Sequence, residues 1–91
     1  MRVKVKFFAY FRDLFGGREL EVELEAGSTV SLLLDRLCDT PERRREIYSG
    51  PGLKTHLVVM VNGIHLLSLS GLRTILSDGD TVAVFPFLAG G

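Results

Sequence analysis

Several things are scarce or missing in this chain, and each absence removes a class of function. Cysteine occurs once, at Cys38, so neither an internal disulfide nor a cysteine-based metal site can form. Neither sign of charge is in excess: 11 basic residues balance 11 acidic ones. That argues against a surface built to neutralise a nucleic-acid backbone or to bind an anionic membrane. Long hydrophobic runs are absent too. The longest aliphatic one, Leu57-Val58-Val59-Met60-Val61, falls far short of the ~20 residues needed to span a bilayer. No glycine-rich phosphate loop is present, so any ATP must come with another protein. The segment after Met1-Arg2 is charged and alternating rather than a secretory leader. With a lone cysteine, that points to a reducing, cytoplasmic setting.

What is present suffices for a packed core. Hydrophobic residues make up 46% of the 91, average for a globular chain, and predict one domain spanning 1–91. The most informative feature is the end, Gly90-Gly91, straight after the apolar stretch from Val82 to Ala89. Two terminal glycines arise by chance in about one chain in two hundred. A glycine thread has no side chains and bends where other residues resist, so it can enter a narrow tunnel and present its carboxylate. The sequence predicts a flexible tail over about 87–91.

The pattern of apolar residues gives the fold. Val3, Val5 and Phe7 alternate with Arg2, Lys4, Lys6 and Phe8, predicting a half-buried strand. Residues 9–16 predict one or two helical turns closed by Gly16-Gly17. Leu20, Val22 and Leu24 then alternate with glutamates, predicting a second strand, antiparallel to the first, with the glutamates on its solvent face. Thr29, or failing that Ser28, predicts the cap of a helix start, and Val30, Leu33, Leu34, Leu37 and Cys38 form its apolar stripe. Thr40-Pro41-Glu42 predicts a second helix over 41–48, before a loop at Ser49-Gly50-Pro51-Gly52. The Leu57–Val61 run predicts a buried strand. Asn62-Gly63 predicts a hairpin turn and 64–67 its return strand. The stretch 68–76 reads as irregular, with a single turn near Leu72. A tight turn at Ser77-Asp78-Gly79-Asp80 precedes a last strand over 81–87, central in the sheet and parallel to the first. The sum is an α+β architecture: a ubiquitin-like β-grasp, with a mixed sheet of about five strands packed on one main helix.

Lys4-Val5-Lys6-Phe7-Phe8-Ala9, Thr29-Val30, Val61-Asn62-Gly63, and Asp78-Gly79-Asp80-Thr81-Val82-Ala83-Val84-Phe85-Pro86 through Gly90-Gly91 resemble the MoaD/ThiS family of ubiquitin-like sulfur carriers. The extra segment around 41–56 makes the MoaD-type and small-modifier branches the more similar ones. The resemblance implies a protein co-substrate rather than an enzyme on its own. A MoeB-type, E1-like partner would use ATP to adenylate Gly91, with Gly90 giving slimness. Sulfur would then displace AMP to leave a thiocarboxylate. In the MoaD branch the sulfur passes to a pterin precursor in molybdopterin synthase, beside a MoaE-type large subunit, during molybdenum cofactor biosynthesis. The same activated terminus serves two alternatives: a modifier joined to lysines through Gly91, or a carrier for thiamine synthesis or tRNA thiolation. A third reading, from another class, is a plain β-grasp interaction module. The sequence departs from the family where Phe87 follows Pro86 in place of a second proline, and where Ser77 stands in place of lysine.

Parity puts Phe8 and Phe85 together on the outer face of adjacent strands, an aromatic pair suited to binding a partner. The resemblance implies docking onto the activating enzyme there. Pro86, Phe87, Leu88 and Ala89 set the exit of the arm, and His65 belongs at the rim of the patch or is solvated. The other conspicuous residues have plainer readings. Cys38 on the helix stripe is expected to be an inert core thiol. His56 and His65 lack acidic partners at ligand spacing, so no metal site is expected. Arg43-Arg44-Arg45, flanked by Glu42 and Glu46, reads as a solvated helix face that a partner could use. Ser28 and Ser31 have no base nearby in sequence.

Overall fold

The computed structural model describes residues 1–87; Leu88, Ala89, Gly90 and Gly91 lie outside the described residues. The strands are β1 (Arg2–Phe7), β2 (Glu19–Glu23), β3 (Tyr48–Ser49), β4 (Gly52–Leu53), β5 (Leu57–Val61), β6 (Ile64–His65) and β7 (Thr81–Pro86). The helices are α1 (Phe11–Phe15), α2 (Val30–Leu37) and α3 (Pro41–Ile47). One mixed sheet runs in the order β2-β1-β7-β5-β6, with β7 parallel to β1 and antiparallel to β5. This is the β-grasp arrangement that the sequence predicts.

The alternation in β1 sends Val3, Val5 and Phe7 inward, at most 1% exposed. Val59, Val61, Val82 and Val84 join them from the neighbouring strands. Across this face lies α2. Its stripe Val30, Leu33, Leu34 and Leu37 is buried, and the Thr29 hydroxyl caps it by accepting from the Leu32 amide at 3.3 Å. Cys38 completes the stripe at 6% exposure. Helix α3 starts the same way, with the Thr40 hydroxyl accepting from the Arg43 amide at 3.2 Å.

The start of β7 is pinned on both sides. Around Asp78-Gly79-Asp80, the Arg2 amide donates to the Asp78 carboxylate (2.7 Å) and the Gly79 amide to the Arg2 carbonyl (2.8 Å). The Lys4 amide donates to the Asp80 carbonyl at 2.9 Å. The Asp80 carboxylate also accepts from the Ser77 amide (2.8 Å) and from Asn62 Nδ2 (2.9 Å). Asn62 Oδ1 in turn accepts from the Thr81 amide at 2.9 Å. Asn62 and Gly63 turn the β5–β6 hairpin with positive φ (52° and 80°), which these two residue types tolerate best. The register of β7 is thereby tied to β1 and to the hairpin together.

Four local expectations differ from the structure. Leu20 is 43% exposed rather than buried, because β2 is the outermost strand; Val22 packs against the core only partly and Leu24, just past the strand, is buried. The loop predicted at 49–52 contains a small hairpin, β3 with β4. The return strand predicted over 64–67 stops at His65, and Leu66–Ser68 forms a 3₁₀ turn. Arg43 is not simply on a solvated face. It donates through Nε to the Leu14 carbonyl at 2.9 Å, pairs with Asp39 at 2.7 Å, and lies over the Phe15 ring at 5.4 Å. It ties α3 to the end of α1. Arg44 lies over the Tyr48 ring at 4.8 Å, and Arg45 is exposed.

Two stability measurements follow. Asp80→Ala removes the carboxylate that accepts from Asn62 Nδ2 and the Ser77 N–H; both bonds are exposed and water can replace them, so the expected cost is about 0.5–1.5 kcal/mol in urea unfolding. An effect near zero would show that the pinned turn is not needed for the register. The second is alkaline unfolding. Burial pushes the Cys38 thiol from 9.0 up to about 11. Burial, then the Asp35 charge and hydrogen bond, push Tyr48 from 10.0 up to about 12. Both groups keep their protons longer in the folded chain than in the unfolded one. The unfolded chain therefore binds fewer protons there, and stability is full below about pH 9 and falls between pH 9 and 12. Cys38→Ala should flatten the lower part of that fall.

Candidate functional site

The register of β7 decides what the outer face of the sheet presents. Val5 pairs with Val82, Lys6 with Ala83 and Phe7 with Val84, and the Phe8 amide extends this ladder by donating to the Val84 carbonyl at 3.2 Å. Phe8 therefore lands beside Phe85. The rings meet edge to face with centroids 5.8 Å apart, a favoured aromatic geometry. Phe8 is 38% exposed and Phe85 half-buried. The Arg12 guanidinium covers one side of Phe8 at 5.5 Å and is held by donating to the Phe7 carbonyl at 3.0 Å. A shallow depression of about 380 Å³ is lined by Phe8, Ala9, Ala83, Phe85 and Pro86.

The end of the sheet where β7 finishes is shaped by three backbone events. Ala9 adopts a positive φ of 54°, uncommon outside glycine, and turns the chain away from the sheet directly after Phe8. Pro86 follows where β1 has already left, so its missing N–H strands no ladder partner. The Phe87 amide then donates to the His56 carbonyl at 2.6 Å, which carries the pairing with β5 one residue past the strand. Phe87 is exposed. The chain thus leaves the sheet beside the Phe8–Phe85 pair, heading into Leu88, Ala89, Gly90 and Gly91, the predicted site residues outside the described range.

On the other side of Phe85 the outer face continues through Val58 and Met60 of β5, which pair with Phe85 and Ala83, and through His65 opposite Met60. His65 is half-buried at the rim, and its Nδ1 accepts from the Leu67 amide at 3.0 Å. Sequence reasoning missed Val58 and Met60, because an unbroken apolar run reads as a strand buried on both faces. It also missed Arg12, for which the sequence carried no signal.

The remaining candidates do not gather here. Cys38 sits across the core, its Sγ 3.9 Å from the Arg43 carbonyl, and burial favours its neutral, unreactive thiol. His56 is exposed and contributes its carbonyl. Ser28 donates to the Glu25 carbonyl at 2.7 Å, a loop bond. Among the described residues no group of three His, Cys, Asp or Glu side chains converges as metal ligands, and no helix is long and apolar enough to cross a membrane.

The sequence pattern described as the ThiS family matches residues 5–91. Small archaeal modifier protein 3 of Haloferax volcanii is 33% identical over the whole of both chains. A solved structure described as the putative molybdopterin converting factor, subunit 1, of Pyrococcus furiosus superposes with a TM-score of 0.78 at 36% identity, covering 97% of this chain and 99% of that one. A chain in the Amycolatopsis orientalis BexX/CysO complex does so with a TM-score of 0.79 at 27% identity, covering 98% and 99%.

The assignment of faces is testable through neighbouring residues. Phe7→Ala should cost roughly 3–5 kcal/mol, as for a buried aromatic. Phe8→Ala should cost less than about 1 kcal/mol, since its ring already meets solvent. Thermal unfolding of both variants checks this, and equal losses would contradict the face assignment.

Proposed function

The chain belongs to the ThiS family of ubiquitin-like carriers and modifiers, and from that premise we propose that it is a sulfur carrier whose chemistry occurs at Gly91. It acts as a protein co-substrate. An E1-like adenylating enzyme of the MoeB type docks on the Phe8–Phe85 face and supplies ATP. A Gly91 carboxylate oxygen attacks the α-phosphorus and expels pyrophosphate. Hydrosulfide then attacks the acyl carbon of this mixed anhydride and expels AMP, and loss of its proton leaves a thiocarboxylate. Activation is needed because a carboxylate is a poor electrophile.

The observation that carries this reading is the aromatic pair at the end of the sheet from which the chain continues to Gly91. A docked enzyme that grips Phe8 and Phe85 holds the departure point of the arm fixed through Pro86 and Phe87. Gly90 and Gly91 then search only the short reach from that point to a nucleotide, which raises their effective concentration there although ordering the glycines still costs entropy. In the acceptor step we place the thiocarboxylate in molybdopterin synthesis, beside a MoaE-type large subunit, in the cytoplasm. The likeness to the Pyrococcus furiosus converting-factor subunit supports that acceptor. The full-length likeness to the Haloferax modifier favours a second reading, conjugation of Gly91 to lysines of other proteins.

Intact mass of the purified chain is the test, before and after incubation with the activating enzyme of its host, ATP and a sulfur donor. The expected result is a gain equal to one oxygen replaced by sulfur, abolished when Gly91 is deleted, with the folded spectrum unchanged. No gain and no trapped adenylate would overturn the carrier reading and favour a plain interaction module. A ladder of heavier conjugates in the host would favour the modifier. A stable complex with the large synthase subunit would favour molybdopterin synthesis.

A further inference from the structure

At the end of β7 the chain loses its holds on the body of the fold one by one. On the β1 side the last bond runs from the Phe8 amide to the Val84 carbonyl, and Ala9 then turns away. On the β5 side the paired register ends with Pro86 opposite Leu57. One bond follows, from the Phe87 amide to the His56 carbonyl at 2.6 Å. Among the described residues it is the last hydrogen bond before the arm.

Both ends of this bond are prepared. The Leu57 amide donates to the Lys54 carbonyl at 3.1 Å, closing a turn with Thr55 and His56 at its centre. The Lys54 amide donates to the Ile47 carbonyl at 3.0 Å, which ties that turn to the end of α3. On the donor side, the ring of Pro86 removes rotation about its N–Cα bond just before Phe87. The Phe87 ring itself is 57% exposed and lines a groove of about 770 Å³ beside β5, with Phe85, Leu66 and Leu67. It is no part of the core. What residue 87 gives the fold is therefore its N–H, the one group that a proline there would lack.

We propose, on the reading that Gly91 is the activated terminus, that Phe87 is a positioning residue acting through its N–H: the bond to His56 sets where the arm begins. With the bond closed, the four residues from Leu88 to Gly91 lie beyond it. Four residues span at most ~13–14 Å. An activating enzyme docked on the Phe8–Phe85 face must then hold the α-phosphorus of its nucleotide within that distance of Phe87. With the bond open, the arm is a residue longer and its origin moves. The carboxylate then spreads over a larger volume, and its effective concentration at the nucleotide falls. The loss appears after docking, because Phe8 and Phe85 are untouched.

Two variants separate the N–H from the ring. Phe87→Pro and Phe87→Ala both lose the ring, and only the first loses the donor. Pro86 already lies in a strand, the conformation a following proline favours, so Phe87→Pro does not force the chain off its course. ATP–pyrophosphate exchange with the E1-like enzyme of the host compares them. The two variants are expected to share one KM, raised by loss of the ring, while kcat for Phe87→Pro falls about three- to tenfold below that for Phe87→Ala. A fold that was merely weakened would not lower kcat at constant KM. The bond itself is read by hydrogen exchange of the 15N-labelled full chain. The Phe87 amide should exchange at least about threefold more slowly than in a synthetic Pro-Phe-Leu-Ala-Gly-Gly peptide. Equal kcat for the two variants, or a Phe87 amide that exchanges as it does in the peptide, would overturn the positioning role alone. No pyrophosphate exchange with the unsubstituted chain would overturn the Gly91 reading and the positioning role with it, and a protected Phe87 amide would then mark only the end of a strand.

Discussion

The register of β7 is the constraint on which the rest depends. This strand is central, with β1 on one side and β5 on the other. A slip by one residue would exchange its faces, placing Val82 and Val84 outside and Phe85 in the core. The Asp78-Gly79-Asp80 turn prevents the slip by bonding to Arg2, Lys4 and Asn62 before the strand begins. Gly79 takes a φ of 85°, which a residue with a Cβ resists. One small turn at one end of the strand therefore decides which side chains surround the exit at the other end.

The outer face is divided, and the division has a purpose. Toward β2, Arg2 and Lys4 face Glu19, Glu21 and Glu23 at 3.2–4.0 Å. These exposed pairs add little stability, but they keep that half of the sheet solvated. Toward β5, the face turns apolar through Phe8, Ala83, Phe85, Val58 and Met60. A small chain that left its whole outer face apolar would aggregate, and one that made it all charged would have nothing to hold a partner. Phe85 stands between the depression at the sheet end and the groove beside β5, and lines both.

Much of the fold was legible because its signals are local. The period-two pattern of β1 and the Thr29 cap with its apolar stripe lie within a few residues of one another. The Phe8–Phe85 pairing was reachable by parity once β7 was placed beside β1. What the sequence hid is non-local. Leu20 has the pattern of a core residue, and only the outermost position of β2 exposes it. Arg43 reads as one of three like charges, until the fold brings the Leu14 carbonyl and the Phe15 ring within its reach. The shortness of β6 comes from a hairpin that gives way to a 3₁₀ turn after His65. No propensity in Leu66-Leu67 announces that stop.

The central claim is that the β7 register presents the Phe8–Phe85 face as the surface by which an activating enzyme holds the arm leading to Gly91. Amide and aromatic chemical shifts of the labelled chain, recorded as the E1-like enzyme of its host is added, test it most directly. The account predicts perturbation concentrated at Phe8, Ala9, Ala83, Phe85 and Phe87, with α2, α3 and the Arg2–Glu23 end of the sheet unchanged. Perturbation centred on the helices, with Phe8 and Phe85 silent, would contradict it.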